Sequence, residues 1–159
     1  MEKKSGPIRA LQLMFIALLC GQLLFAALTL ALVKTGIVNL VVENKTERIF
    51  EAVCLSASFI CVWIAFTLFK RKLEQARSYS LLANRFNEYR TACVVKYALL
   101  EMPTLLCIIF YFLTGKWNFI IMAVILIFIF MSQNPIRARI KIELQTDDAG
   151  IDEINNLKG

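Results

Sequence analysis

The chain contains no histidine and no Cys-x-x-C pair, and only three prolines and six glycines interrupt its 159 residues. Without histidine, zinc and haem sites lack their usual ligand, and a Cys/His nucleophile pair lacks its base. The cysteines lie in apolar stretches, where a thiol packs as a small hydrophobic side chain. They are Cys20, Cys54, Cys61, Cys93 and Cys107. We therefore expect a protein that is not an enzyme and holds no metal and no cofactor.

Hydrophobic residues make up 58% of the chain, compared with about 45–50% in a soluble domain. Four long apolar runs account for the excess, and they predict membrane spans at about 8–33, 49–69, 92–114 and 117–134. The first run is too long for a signal peptide and is expected to be retained. The sequence thus predicts an all-α membrane domain over 1–142, a four-helix bundle, followed by an acidic, disordered tail over 143–159.

The segment between the second and third runs is polar but has no glycine or proline over 73–90. Tyr79, Leu82, Phe86 and Tyr89 are spaced by three, four and three residues, which places them on one helical stripe. We expect either an amphipathic helix or helical extensions of spans two and three. The stripe can pack on the protein itself, lie on lipid headgroups, or serve as a candidate docking face for a partner.

The basic residues cluster at the ends of the spans, and the chain carries a net charge of +6. The N-terminus, the segment between spans two and three and the stretch after span four share one face. Lysine and arginine predominate there over the opposite face, so the positive-inside rule predicts that both termini are cytoplasmic. We expect an inner-membrane, multi-pass protein whose charge serves orientation in the bilayer and not nucleic-acid binding.

Glu101 lies inside the third predicted span, about ten residues from its start. At about 1.5 Å per residue this places the carboxyl group near the middle of a bilayer core of about 30 Å. A carboxylate there must be protonated, paired or in contact with a wet cavity. Tyr97 and Thr104 share its helix face, and Gln22 in the first span lies at a similar depth. The group either fixes helix packing or handles a proton or cation.

Two neighbours of Glu101 carry expectations of their own. Lys96 lies one turn inside the third span and is expected to extend its ammonium group back toward the interface. Pro103 lies in the span interior, where its missing N–H predicts a bend in the helix.

The stretch Ala98-Leu99-Leu100-Glu101-Met102-Pro103, followed by an apolar run, resembles the carboxylate-bearing helix of rotary ATPase proteolipids (c-type subunits). The order of helix, basic segment and glutamate helix is similar as well. This resemblance implies an ion-binding role for Glu101. Proteolipid helices are rich in glycine, whereas spans two and three contain none. The whole chain resembles the small four-span membrane proteins of bacterial genomes.

Two functions remain in contention from the sequence. The first is a non-enzymatic accessory, assembly or scaffold subunit of a membrane complex, since no catalytic group of residues is found. The alternative is a component of a proton- or cation-handling transporter or channel that uses Glu101. Its expected partners are the lipid bilayer and either another membrane subunit or further copies of the same chain.

Overall fold

The computed structural model describes residues 6–36 and 44–156, and this part of the chain consists of helices joined by short turns without strands. Residues 1–5, 37–43 and 157–159 lie outside it, including Lys3 and Lys4 of the charge pattern and part of the loop between the first two spans. The helices are α1 (Pro7–Lys34), α2 (Asn44–Ser78), α3 (Leu82–Thr114), α4 (Trp117–Met131), α5 (Arg137–Leu144) and α6 (Asp148–Asn156). The expectation of an all-α protein is confirmed.

Three helices are long and apolar enough to cross a bilayer. They are Pro7–Lys34, Arg48–Ser78 and Leu82–Thr114. The fourth apolar helix, Trp117–Met131, has 15 residues and therefore a length of about 22 Å, shorter than the bilayer core. The fold is that of a multi-pass membrane protein with three helices of spanning length.

α2 and α3 form the central hairpin of the molecule. Both helices continue beyond their apolar parts and meet at the short turn that follows Ser78, so the polar segment 73–90 consists of two helical extensions. α3 ends where Gly115 adopts φ 68°, a left-handed conformation that glycine accepts without strain. α4 then packs against α3, and its buried residues alternate with exposed ones such as Phe128.

The end of the bundle at the N-terminus of α1 carries a set of additional helices. We call α5, α6 and the stretch 70–91 of α2 and α3 the helical cap. Its core joins the beginning of α1 to all of these elements, and buried members include Ile8, Phe86, Ile140, Leu144 and Ile154. A second buried cluster lies at the opposite end of the bundle around Cys107 and Phe119.

The tail differs from the expectation of disorder. Residues 137–156 form α5 and α6, whose side chains Leu144, Ile151 and Ile154 are buried. Burial of each such aliphatic side chain contributes about 1.5–3 kcal/mol, which offsets the entropy of ordering a short polar segment. The acidic composition of the tail favours disorder. Ile151 and Ile154 are nevertheless buried against the rest of the protein, so the tail docks as a helix.

Candidate functional site

Glu101 lies in the middle of α3 and is half-buried. Within the described chain, no hydrogen bond or ion pair joins its carboxyl group to another residue. Tyr97 and Thr104, which share its face, direct their hydroxyl groups elsewhere. The Tyr97 hydroxyl donates to the Gln133 carbonyl oxygen at 3.2 Å, and the Thr104 hydroxyl donates to the Leu100 carbonyl oxygen at 3.1 Å. Glu101 is thus an ionisable group that its own helix leaves unpartnered.

The relative register of α1 and α3 follows from a ring contact. Phe15 packs edge-on against Tyr97 with 5.3 Å between the ring centroids, and both helices start at the helical cap. Gln22 lies seven residues beyond Phe15, and Thr104 lies seven residues beyond Tyr97, so the two occupy the same level. Glu101 is three residues earlier, about 4.5 Å along the axis. Gln22 therefore lies within about one helical turn of the level of Glu101.

Gln22 is 0% exposed, although its side chain is polar. Neither its amide nitrogen nor its amide oxygen has a hydrogen-bond partner among the described residues. An amide buried without hydrogen bonds costs roughly 2–7 kcal/mol, depending on the reference state. Gln22 and Glu101 are expected from the sequence to lie at a similar depth; their levels along the bundle differ by about one helical turn, and no hydrogen bond joins them.

Pro103 lies within α3, which continues through it to Thr114. Its side chain is buried beside an apolar groove of about 260 Å³ between α2 and α3. The groove is lined by Ala57, Cys61, Met102, Pro103, Leu105, Leu106 and Ile109. The groove reaches Leu105, one turn after Glu101 on the same side of α3, but the side chains that line it are apolar, so it adds no polar group to the glutamate.

The Lys96 side chain does not lie at the membrane interface, where the sequence predicts it. It is 2% exposed, and its ammonium group lies 3.7 Å from the centroid of the Phe69 ring. The same group donates to the Gln133 side-chain oxygen at 3.5 Å. A cation over an aromatic face with one acceptor is stabilised in place, so Lys96 points inward and does not extend to the surface.

Gln133 connects Lys96 to a wider polar network at the boundary between the membrane helices and the helical cap. Its side-chain oxygen also accepts from Arg139 at 3.1 Å. Arg139 in turn donates to Glu143 at 3.0 Å, and Glu143 accepts from the Tyr89 hydroxyl at 2.6 Å. These contacts tie α3 to α5. Nothing in the sequence indicates this network, because the two side-chain hydrogen bonds that tie α3 to Gln133 and Glu143 join residues 37 and 54 positions apart.

The candidate partner face is mostly covered by the protein itself. Phe86 and Tyr89 are buried in the core of the helical cap. Leu82 packs against the same core and lies beside Gly150 of α6. Tyr79 is the member of the stripe that remains exposed. Three of the four stripe residues, Leu82, Phe86 and Tyr89, therefore pack on the protein itself, as one of the alternatives from the sequence proposed.

Exposed apolar side chains do occur at the tip of the helical cap. Tyr79 is 42% exposed and Leu81 is 66% exposed in the turn between α2 and α3, and Ile142 of α5 is 74% exposed. Arg85 brings these elements together, since its guanidinium group donates to the carbonyl oxygens of Tyr79 at 3.0 Å and Leu144 at 3.5 Å. The tip lies about ten residues, or roughly 15 Å, beyond the apolar part of α3.

Groups of three or more acidic, cysteine or histidine side chains suited to a metal ion are absent from the described residues. The cysteines are free thiols, and Cys54, Cys93 and Cys107 are buried. The fold and these sites define the chain as a multi-pass α-helical membrane protein. Comparison with protein-family models, with curated proteins and with solved structures gave no match. The resemblance to proteolipids therefore rests on the sequence alone, on the motif around Glu101 and the order of helix, basic segment and glutamate helix.

Proposed function

We propose that this protein is a non-enzymatic accessory, assembly or scaffold subunit of a complex in the inner membrane. The observation that carries the proposal is the exposed apolar tip of the helical cap, formed by Tyr79, Leu81 and Ile142. Lipid covers apolar side chains along the spans, but it does not reach a surface about 15 Å beyond them. Apolar side chains exposed to water at a defined surface are typical of protein contact sites.

The proposal includes four membrane crossings with both termini in the cytoplasm. Gln133 follows α4 and bonds to Lys96 and Tyr97 near the beginning of the third span. The chain therefore returns from the end of α3 to the level of Lys96 within the stretch 117–133, which supports a fourth crossing by a short helix. The excess of basic residues at the helical cap supports its cytoplasmic position.

A test introduces a charge at the tip and compares it with the same charge at a neighbouring polar site. We expect Leu81→Glu to abolish co-purification of a stoichiometric partner in mild detergent. The control Ser80→Glu alters an exposed polar position in the same turn and should retain the partner. A wild-type protein that purifies alone, or a partner that Leu81→Glu retains, would contradict the proposal.

A second candidate function is the handling of a proton or cation at Glu101. The observation that favours it is the fully buried, unpartnered amide of Gln22 about one turn away, since an amide oxygen and a carboxyl group can together hold a cation or share a proton. Four spans are few for a transporter, so this function requires several copies or another subunit.

Carbodiimide reactivity as a function of pH in native membranes tests this second candidate. We expect a titrating reaction that Glu101→Gln removes and that a specific cation slows. Glu51, which accepts a hydrogen bond from Asn118 at 2.8 Å near the beginning of α2, provides the matched control Glu51→Gln. Labelling and ion flux that remain unchanged in Glu101→Gln would contradict an ion-handling role.

A further inference from the structure

A groove of about 480 Å³ lies between α5 and α6 of the helical cap. One wall carries Arg137 and Lys141 of α5, and the other carries Asp148 and Asp152 of α6. The side chains of Ala138 and Ile151 complete its lining. The groove therefore has one basic wall and one acidic wall.

An ion pair closes one end of this groove. The Lys141 ammonium group lies 2.7 Å from the Asp148 carboxylate. Arg137 precedes Lys141 by four residues and Asp152 follows Asp148 by four, so each lies one turn away on its own helix. Neither Arg137 nor Asp152 makes a hydrogen bond or ion pair with any described residue. The groove thus presents one cation and one anion whose partners are not supplied by the described chain.

The unpaired groups lie on the membrane side of the ion pair. α5 runs away from the bilayer, because Gln133 before it bonds to Lys96 and Leu144 at its end accepts from Arg85. α6 runs back, because Gly150 lies beside Leu82, whereas Asn155 lies beside Gly6 at the start of α1. Moving from the ion pair to Arg137 or to Asp152 therefore leads toward the bilayer.

Arg137 lies at about the depth of the lipid headgroup layer. Lys96 is four residues, or about 6 Å, inside the predicted edge of the third span. Arg137 follows Gln133, whose side chain reaches Lys96, by four residues that extend at most about 14 Å, so Arg137 lies near that edge of the span. The headgroup layer is about 5–8 Å thick on each side.

We propose that this groove binds the headgroup of a zwitterionic ethanolamine phospholipid. The phosphate group pairs with Arg137, and the ammonium group pairs with Asp152. A guanidinium group binds phosphate through charge-assisted hydrogen bonds, and a primary ammonium group donates three hydrogen bonds to carboxylates. A choline headgroup lacks those donors, and a glycerol headgroup lacks the cation, so the mixed charge of the groove favours ethanolamine. The proposal goes beyond the proposed function and requires no protein partner.

The test is native mass spectrometry of the full chain in detergent, with phosphatidylethanolamine, phosphatidylcholine and phosphatidylglycerol of the same acyl chains. We expect wild-type protein to retain phosphatidylethanolamine about tenfold better than either other lipid, equivalent to about 1.4 kcal/mol. Arg137→Gln should lower retention of this lipid about tenfold. Asp152→Asn should instead remove the preference over phosphatidylglycerol.

Glu153→Gln is the matched control, since Glu153 is an exposed acid next to Asp152 but outside the groove lining. It should behave as wild type, and far-UV circular dichroism should show equal helix content in all variants. Equal retention of the three lipids by wild type, or an equal loss in Glu153→Gln, would overturn the proposal. Soluble phosphoethanolamine is the competitor that separates lipid from free headgroup, and saturation of the groove by it without any lipid preference would overturn the lipid assignment.

Discussion

Glu143 offers the sharpest test of how the helical cap is held to the membrane helices. Its carboxylate accepts from the Tyr89 hydroxyl at 2.6 Å and from the Arg139 guanidinium group at 3.0 Å. Tyr89 is buried in the core, whereas Arg139 is partly exposed. Replacement of Glu143 by alanine removes both contacts and leaves the buried tyrosine hydroxyl without an acceptor.

The magnitude follows from these two contacts. A lost hydrogen bond to a charged group that also leaves its buried donor unsatisfied costs about 2–3 kcal/mol. The partly exposed ion pair with Arg139 adds roughly 0.5 kcal/mol. We therefore expect Glu143→Ala to destabilise the docking of α5 and α6 by about 3 kcal/mol. Glu143→Gln keeps an acceptor oxygen for Tyr89 and should cost about 1 kcal/mol.

Amide hydrogen exchange read by mass spectrometry in detergent micelles measures this effect locally. A loss of about 3 kcal/mol corresponds to roughly 100-fold faster exchange in α5 and α6, with α1 and the membrane part of α3 unchanged. In a Tyr89→Phe background the same alanine substitution should cost about 1–2 kcal/mol less, because no hydroxyl is left unsatisfied. An acceleration below threefold, or an equal cost in both backgrounds, would refute the reasoning.

Substitutions at three further positions test the interior of the bundle by the midpoint of SDS-induced unfolding from mild detergent, followed by circular dichroism. Gln22→Leu should stabilise the protein by about 1–3 kcal/mol, since it replaces an unpartnered amide by an apolar side chain. If this substitution destabilises the protein instead, the Gln22 amide has a partner. Lys96→Met keeps an unbranched apolar chain over the Phe69 ring and should change stability by less than about 1 kcal/mol. Lys96→Ala leaves a cavity and should cost about 2–4 kcal/mol. Equal costs for the two substitutions would contradict the buried position of Lys96. Phe15→Ala removes the ring that stacks on Phe130 with 5.0 Å between centroids and should cost about 3–5 kcal/mol. A cost below about 1 kcal/mol would contradict the register of α1.

The helices and their apolar parts followed from the sequence because their signals are local. Long apolar runs bounded by Lys70 or by Asn134-Pro135 specify where a helix can lie in a bilayer. The stretch 73–90 was expected to be helical from its periodicity, and α2 and α3 continue through most of it. These features depend on composition and spacing within one segment.

The helical cap could not be predicted from the sequence, because its contacts join distant parts of the chain. Nothing near Lys96 in the sequence indicates Gln133, and nothing near Tyr89 indicates Glu143. Ile151 and Ile154 are spaced by three residues in the sequence, but the surface that buries them forms only when α1, α3 and α5 come together. Segments of this kind gain helix stability from tertiary packing more than from local propensity.

Lys96 and Glu101 show how differently one helix treats two ionisable groups. Lys96 has an aromatic face at 3.7 Å and an acceptor at 3.5 Å, so its burial is compensated within the described chain. Glu101, five residues further into the membrane, has no such compensation, and the amide of Gln22 nearby has none either. Places where a sequence breaks its own local rules are expected at functional sites. A proton or a cation would resolve both residues at once, whereas the polar group of a neighbouring subunit would reach Glu101 alone, since Gln22 is fully buried. Glu101→Gln distinguishes these cases: it removes ion flux in the first two and releases the partner in the third.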